Sequence, residues 1–377
     1  MLFTALQGLT YPLLSLLLHA RGVPEGWIGI NAAMMPLGMV AAAPLAHPLV
    51  ARLGPLTLLL ASILTAVATL LAIGALDNAI AWMPLRFATG ACLAWVFIVC
   101  DTWVNELAAE RVRGRVLGLY SMSTSAGFAL GPLLLAAIGT RGWMPFAAGA
   151  SCGLAAVLPL WLNRRALPGR PIACPQISTA QAIADASLWR FVRAAPLLIA
   201  GAAATALADQ VALSLLPIFC VRNGLSVREG SVALVSMIAG STLMQYPMGW
   251  LADRAPVRAI FTGGALATAL SALAMPFAVR TPELFWAVSF AWGGTYYGIF
   301  TLVLVMLGRR FSGAALVSGN AAFAATWGIG GLIGTPLAGG AMQRFGPNGF
   351  PATLAAVFLA LALGIALTRE RAPPARA

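Results

Sequence analysis

Twelve stretches of about twenty mostly apolar residues recur along this chain, each closed by Arg, Pro, Gly or Asn. A helix needs about 20 such residues to cross a bilayer. Sixty per cent of the 377 residues are hydrophobic, 9% are charged, and the mean hydropathy is +0.88. A soluble domain carries about a quarter charged residues, and in water this chain would expose a large apolar surface. The solvent that fits is lipid. The runs predict an all-α membrane protein with spans at Leu2–Leu18, Ile28–Ala46, Leu56–Leu76, Ile80–Cys100, Val116–Ile138 and Trp143–Leu162. Six more follow at Pro196–Cys220, Ser231–Leu251, Val257–Val279, Leu284–Leu307, Ala315–Met342 and Phe350–Leu367. No basic region precedes the first run and no small-residue cleavage site closes it, so it reads as a retained span.

The formal charge of +12 does not point to nucleic acid. Every basic residue apart from histidine is arginine, and the arginines sit in loops between apolar runs rather than on one face. Alternate loops carry 16 arginines, the opposite loops 6, and Arg86 lies inside a span. Positive loops stay in the cytoplasm. The bias therefore predicts that both termini and the basic stretch 163–195 are cytoplasmic, in a multi-pass protein of the cytoplasmic membrane. The organisation expected is a six-helix half over 1–162, a linker over 163–195 and a second six-helix half with a short tail over 196–377. A shift of 202 residues aligns Gly22 with Gly224 and Arg52 with Arg254, a weak internal repeat that agrees with the linker position. The five cysteines (Cys92, Cys100, Cys152, Cys174, Cys220) fall mostly within apolar runs and read as small buried side chains.

Several local patterns add to this layout. The loop after the eighth span reads Gly249-Trp-Leu-Ala-Asp253-Arg254-Ala-Pro-Val-Arg258, and its counterpart in the first half keeps Arg52 and Gly54, with Ala51 in place of the aspartate. The fourth span contains Arg86-x-x-Thr89-Gly90, and the fifth Gly127-x-x-x-Gly131-Pro132. These segments resemble the loop and membrane-embedded motifs of the major facilitator superfamily, within a bacterial branch whose members mostly lack assigned substrates. The resemblance implies that spans one, four, seven and ten line a central cavity. It also implies a cytoplasmic gate at Arg52, Asp101, Asp253 and Arg254. Physically, Asp253 and Arg254 can form a charge-assisted latch between helix ends, although the same charges also serve as topology signals. Gly127 and Gly131 share one helix face and allow close packing, and Pro132 bends the span.

Two charges are not explained by loops. Asp209 lies thirteen residues from Arg222, about 20 Å along the helix, and Arg86 nine residues from Asp77, about 13 Å. A charge at such depth costs at least ~2.5–3.5 kcal/mol and normally faces a cavity with a partner. Asp209 and Arg86 are the candidates for proton coupling, and a structural aspartate hydrogen-bonded across the bundle is the alternative. Gln7, which aligns with Asp209, and Tyr11, Trp95, Gln210, Trp292, Tyr296, Tyr297, Asn320 and Trp327 are candidates for substrate contact. Aromatic residues at helical spacing also serve packing alone.

No Walker phosphate loop, metal-binding cluster or nucleophile elbow occurs. The expectation is a secondary transporter and not an enzyme. It moves a small solute with H+, has no cofactor or metal, and sits as a monomer in the lipid bilayer without a nucleic-acid partner. A uniporter of the same fold, and a non-transporting sensor or assembly factor, are the alternatives.

Overall fold

A computed structural model describes residues 1–107, 113–164, 195–252, 254, 256–310 and 313–367. The described residues are helical throughout, with no strand among them. In chain order the helices are α1 (Leu2–Ala20), α2 (Glu25–Ala42), α3 (Ala46–Leu53), α4 (Pro55–Ala75), α5 (Ala79–Leu107), α6 (Arg113–Ile138) and α7 (Met144–Leu162). Then come α8 (Pro196–Arg222), α9 (Val227–Leu243), α10 (Gln245–Ala252), α11 (Val257–Ala278), α12 (Pro282–Arg310), α13 (Gly313–Phe345) and α14 (Gly349–Leu367). A 3-10 turn at Ala43–Leu45 joins α2 to α3 in one broken column, and α9 with α10 forms another. Fourteen helices thus make twelve columns among the described residues. Among the described residues ten segments are long and apolar enough to cross a membrane.

The two broken columns depart from the expected continuous spans, and proline accounts for both. Pro44 has no N–H for the helix ladder, and Pro247 clashes with the carbonyl four residues back, at Leu243, where α9 ends. The other ends follow ordinary capping. Pro55 and Pro196 open their helices, where a missing N–H costs nothing. Ser226 and Glu229 form a reciprocal capping box on α9.

The internal repeat is legible in the local geometry. Helices α1 and α8 both stop at a glycine with positive φ, Gly22 (72°) and Gly224 (88°). In both, the next amide reaches back to the helix, Val23 to Leu18 and Leu225 to Cys220, the closure that glycine makes possible. The tight crossing of α2 and α5 repeats as well. Gly38 and Gly90 lie against the backbone of Phe87 and Met35, and Gly240 and Gly293 lie against that of Phe290 and Met237. The offsets are 202 residues on α2/α9 and 203 on α5/α12.

Small residues also set the contacts that place α1 and α8 at the centre. Gly127 of α6 meets Met1 and Thr4, and Gly131 meets Ala5, Gly8 and Leu9. Gly330 and Gly334 of α13 lie on Ala206 and Leu207 of α8. Along its other face α13 runs antiparallel to α2, with Gly328 at Val40, Gly331 at Pro36 and Gly339 at Glu25. An apolar groove of about 400 Å3 opens between α8, α13 and α14, lined by Leu207, Ile333 and Leu361 among others, and carries no polar side chain.

Candidate functional site

Helices α1 and α8 are the most deeply buried spans, and their polar residues meet in the interior. Tyr11 of α1 is 2% exposed and lies within electrostatic reach of both Asp209 and Arg86, against the side chain of Gln210. One turn earlier on the same face, Gln7 is fully buried, and neither its amide nitrogen nor its oxygen has a partner. Gln210 Oε1 also lacks one. Groups of this kind are the natural contacts of a polar solute, because burial without a partner costs free energy.

Asp209 keeps accessible surface, whereas Ala208 and Gln210 on either side of it are buried. Its Oδ1 accepts a 3.0 Å hydrogen bond from the Tyr296 hydroxyl. Thr205 fixes α8 beside α12, donating to the carbonyls of Gly201 at 3.0 Å and Tyr296 at 3.3 Å. Tyr296 packs tilted against Trp292 with centroids 4.7 Å apart, and the Trp292 indole N–H is buried without a partner among the described residues. Tyr297, Phe300 and Trp327 continue this ring cluster, Tyr297 lying edge-on to Tyr296 at 5.8 Å and Phe300 5.1 Å from Trp327. Tyr297 and Trp327 are half-buried.

Arg86 sits in α5 at 1% exposure. Its Nη1 donates to Asn31 Oδ1 at 2.8 Å, and Asn31 Nδ2 in turn donates to the Ala79 carbonyl at 3.0 Å. Its Nε and Nη2 have no partner. The next turn of the motif is tied to α4 by the 2.9 Å contact of Thr89 with Thr69. Arg86 and Asp209 do not form an ion pair; each bonds a neutral side chain of another helix, and Tyr11 lies between them. At the repeat offsets their counterparts are Ser289, fully buried with an unpartnered hydroxyl, and Gln7. The first half of the chain thus supplies the cation and the second half the anion.

Other candidates fall elsewhere. Trp95 donates at 2.9 Å to the carbonyl of Ala42, the last residue of α2, so it satisfies a helix end at the break. Asn320 lies on α13, but its side chain is outside the described residues, as is Asp253 altogether. Arg254 is exposed and stacks 4.0 Å over the Trp250 ring. Arg52 is exposed and makes no ion pair among the described residues. Asp101 accepts a 2.6 Å hydrogen bond from Tyr120, which links α5 to α6. Gly127 and Gly131 serve the packing of α6 on α1.

A second polar cluster, not anticipated from the sequence, lies at the end of the bundle away from the termini. Arg222 at the end of α8 pairs with Glu25 at the start of α2 at 2.8 Å, and His19 lies 3.8 Å from the same oxygen. The Gly26 amide donates to Gln343 of α13 at 3.2 Å. These bonds join the first half of the chain to the second. No cluster of metal-binding side chains occurs among the described residues.

Comparison with known proteins agrees with this architecture. The family model of the Major Facilitator Superfamily matches residues 1–244 and 198–377. YfkF of Bacillus subtilis, an uncharacterized MFS-type transporter, is 27% identical over 370 residues, covering 95% of this chain and 91% of the relative. YcaD of Escherichia coli, also uncharacterized, is 24% identical over 270 residues, covering 71% and 67%. Among solved structures, the nucleoside transporter NupG superposes with a TM-score of 0.76 at 14% identity, over 97% of this chain and 96% of that one. A D-xylose-proton symporter gives 0.74 at 14% identity, over 97% and 95%. At such identities the structural likeness establishes the fold.

Proposed function

This chain belongs to the Major Facilitator Superfamily, and from that premise we propose that it is a secondary active transporter moving a small solute with protons across the cytoplasmic membrane. Membrane transport itself follows from the family and the relatives. Proton coupling is our reading of one observation: Asp209 is a carboxylate in the middle of α8 that keeps accessible surface and holds a single hydrogen bond, to Tyr296. Such a group can take up a proton when the cavity opens to one side and release it when the cavity opens to the other.

The accompanying architecture is two six-helix halves, 1–162 and 196–377, around the cavity, with both termini and the 163–195 linker in the cytoplasm. The bonds between Arg222 and Glu25 and between Gly26 and Gln343 then close the outer face. The described conformation is accordingly one that opens inward. Alternating access breaks these bonds and closes the termini side. The protein acts as a monomer and uses no cofactor.

The test uses everted membrane vesicles with an imposed pH gradient and a pH-sensitive dye. Solutes from a chemically broad panel are added to wild-type and Asp209→Asn vesicles. At least one solute should dissipate the gradient in wild type and not in the variant. Solute movement that leaves the gradient intact in both would make the protein a uniporter.

A further inference from the structure

The guanidinium of Arg86 is half committed. Nη1 is held by Asn31 at 2.8 Å, while Nε and Nη2 are buried and have no partner among the described residues. Nε and Nη2 form one side of the planar group. Their N–H bonds run nearly parallel, and that edge matches the two oxygens of a carboxylate.

Charge points the same way. Arginine stays protonated in a protein, and a cation inside a span needs a counter-charge. Among the described residues no carboxylate bonds Arg86: the arginine ion pairs, Arg21–Asp77 and Arg222–Glu25, lie at the far end of the bundle, and Asp209 accepts from Tyr296 through Oδ1. A dicarboxylate, or a phosphate ester with its charge of about −1.5 to −2, would leave negative charge uncompensated near Asp209. The half-buried rings of Tyr297 and Trp327 offer an apolar wall on the Asp209 side.

We infer that the transported solute is an organic monocarboxylate, its carboxylate on the Nε/Nη2 edge of Arg86 and its apolar body against Tyr297 and Trp327. This names the substrate class of the site described above and rests on the transporter reading. The carboxylate bonds the first half of the chain and the body contacts the second, so the solute bridges the two elements that must move together.

The experiment measures the thermal unfolding midpoint of the full-length protein in detergent. The probes are acetate, benzoate and 3-phenylpropionate, each beside its primary amide, with succinate and phenyl phosphate for comparison. The expected result is that benzoate or 3-phenylpropionate binds at least tenfold tighter than its amide and than the two doubly charged probes. Arg86→Gln should erase the preference for acid over amide, and Arg86→Lys should retain only part of it. Asn31→Asp, which places a competing carboxylate on the guanidinium, should weaken the preference in a protein that keeps Arg86. Amides binding as well as acids, or no acid binding at all, would overturn the inference in the wild-type protein, without reliance on any variant. Proton-driven movement confined to neutral solutes would overturn it while leaving transport intact. Acid binding at Arg86 in a protein that moves no solute would have the opposite meaning.

Discussion

Asn31 Oδ1 accepts a 2.8 Å hydrogen bond from Arg86 Nη1, and this bond joins the interior of α2 to that of α5. Both residues are almost fully buried, at 2% and 1% exposure. Asn31 also donates to the Ala79 carbonyl. The amide is therefore fixed in orientation, with its oxygen toward the cation. A hydrogen bond to a charged group contributes about 1.5–3 kcal/mol. Asn31→Leu should lower stability by that order, measured by denaturant or thermal unfolding in detergent. An unchanged midpoint would mean that the bond contributes nothing.

Asp209→Asn fixes the side chain in a form resembling the protonated carboxyl. In proteoliposomes it should abolish accumulation driven by a pH gradient, while exchange between compartments at equal pH persists. Asp209→Glu should keep part of the accumulation. Wild-type accumulation with wild-type pH dependence in Asp209→Asn would reduce the aspartate to a structural partner of Tyr296.

The Arg222–Glu25 pair joins α8 to α2, with the glutamate side chain 13% exposed and the arginine 30%. Pairs open to solvent contribute about 0.2–1 kcal/mol, so the shift expected from breaking this one is modest. Glu25→Gln should raise the population separated at this end by about 1.4- to fivefold. Spin labels on the Arg21–Pro24 and Asn223–Ser226 turns would report this as a longer-distance component. An identical distance distribution would show that the helix seams alone hold this end shut.

Gly90 and its counterpart Gly293 face backbone atoms of Met35 and Met237, where an added methyl has no room. Both Gly90→Ala and Gly293→Ala should reduce the yield of folded protein, by similar amounts. Gly263, inside α11, has open space around it. Gly263→Ala should be neutral or stabilising by up to ~1 kcal/mol through helix propensity. Fluorescence-detected size exclusion separates these outcomes, and a well-folded Gly90→Ala protein would contradict the crossing geometry.

Reporter tags at both termini and within 163–195 should all report the cytoplasm. A periplasmic 163–195 segment would overturn the twelve-span orientation.

The helices could be read from the sequence because apolar length is a local property: ten of the twelve expected spans each fall on one helix, and the second and eighth fall on the two broken columns. The breaks at Ala43–Leu45 and Met244 were also written locally, in Pro44 and Pro247, but the apolar runs continue through them and mask the signal. Partnership across the bundle is different. Asp209 and Tyr296 were each candidates, yet 87 residues separate them and nothing in the sequence pairs them. Asn31 was missed, although a lone amide in the middle of an apolar run is the same kind of signal that singled out Asp209. Glu25 was missed because a charge at a helix end has an ordinary explanation in solvent exposure. The helix-lining rule implied by the family brought Gln7, Tyr11, Asp209 and Gln210 to one region, but it also nominated Trp95, whose indole serves the end of α2.

The two proline breaks occupy matching places in the repeat but are held in different ways. On α2 the indole of Trp95 pins the carbonyl at the break. The position 203 residues later is Gly298, which has no side chain to do the same and packs against the flexible thioether of Met248 on α10. At the second break α10 itself reaches back, the Gln245 side chain donating at 3.1 Å to the Ser241 carbonyl of α9. One hinge is thus held by a neighbouring helix and the other by a side chain of its own column, so a change on α5 reaches the first break directly and leaves the second untouched.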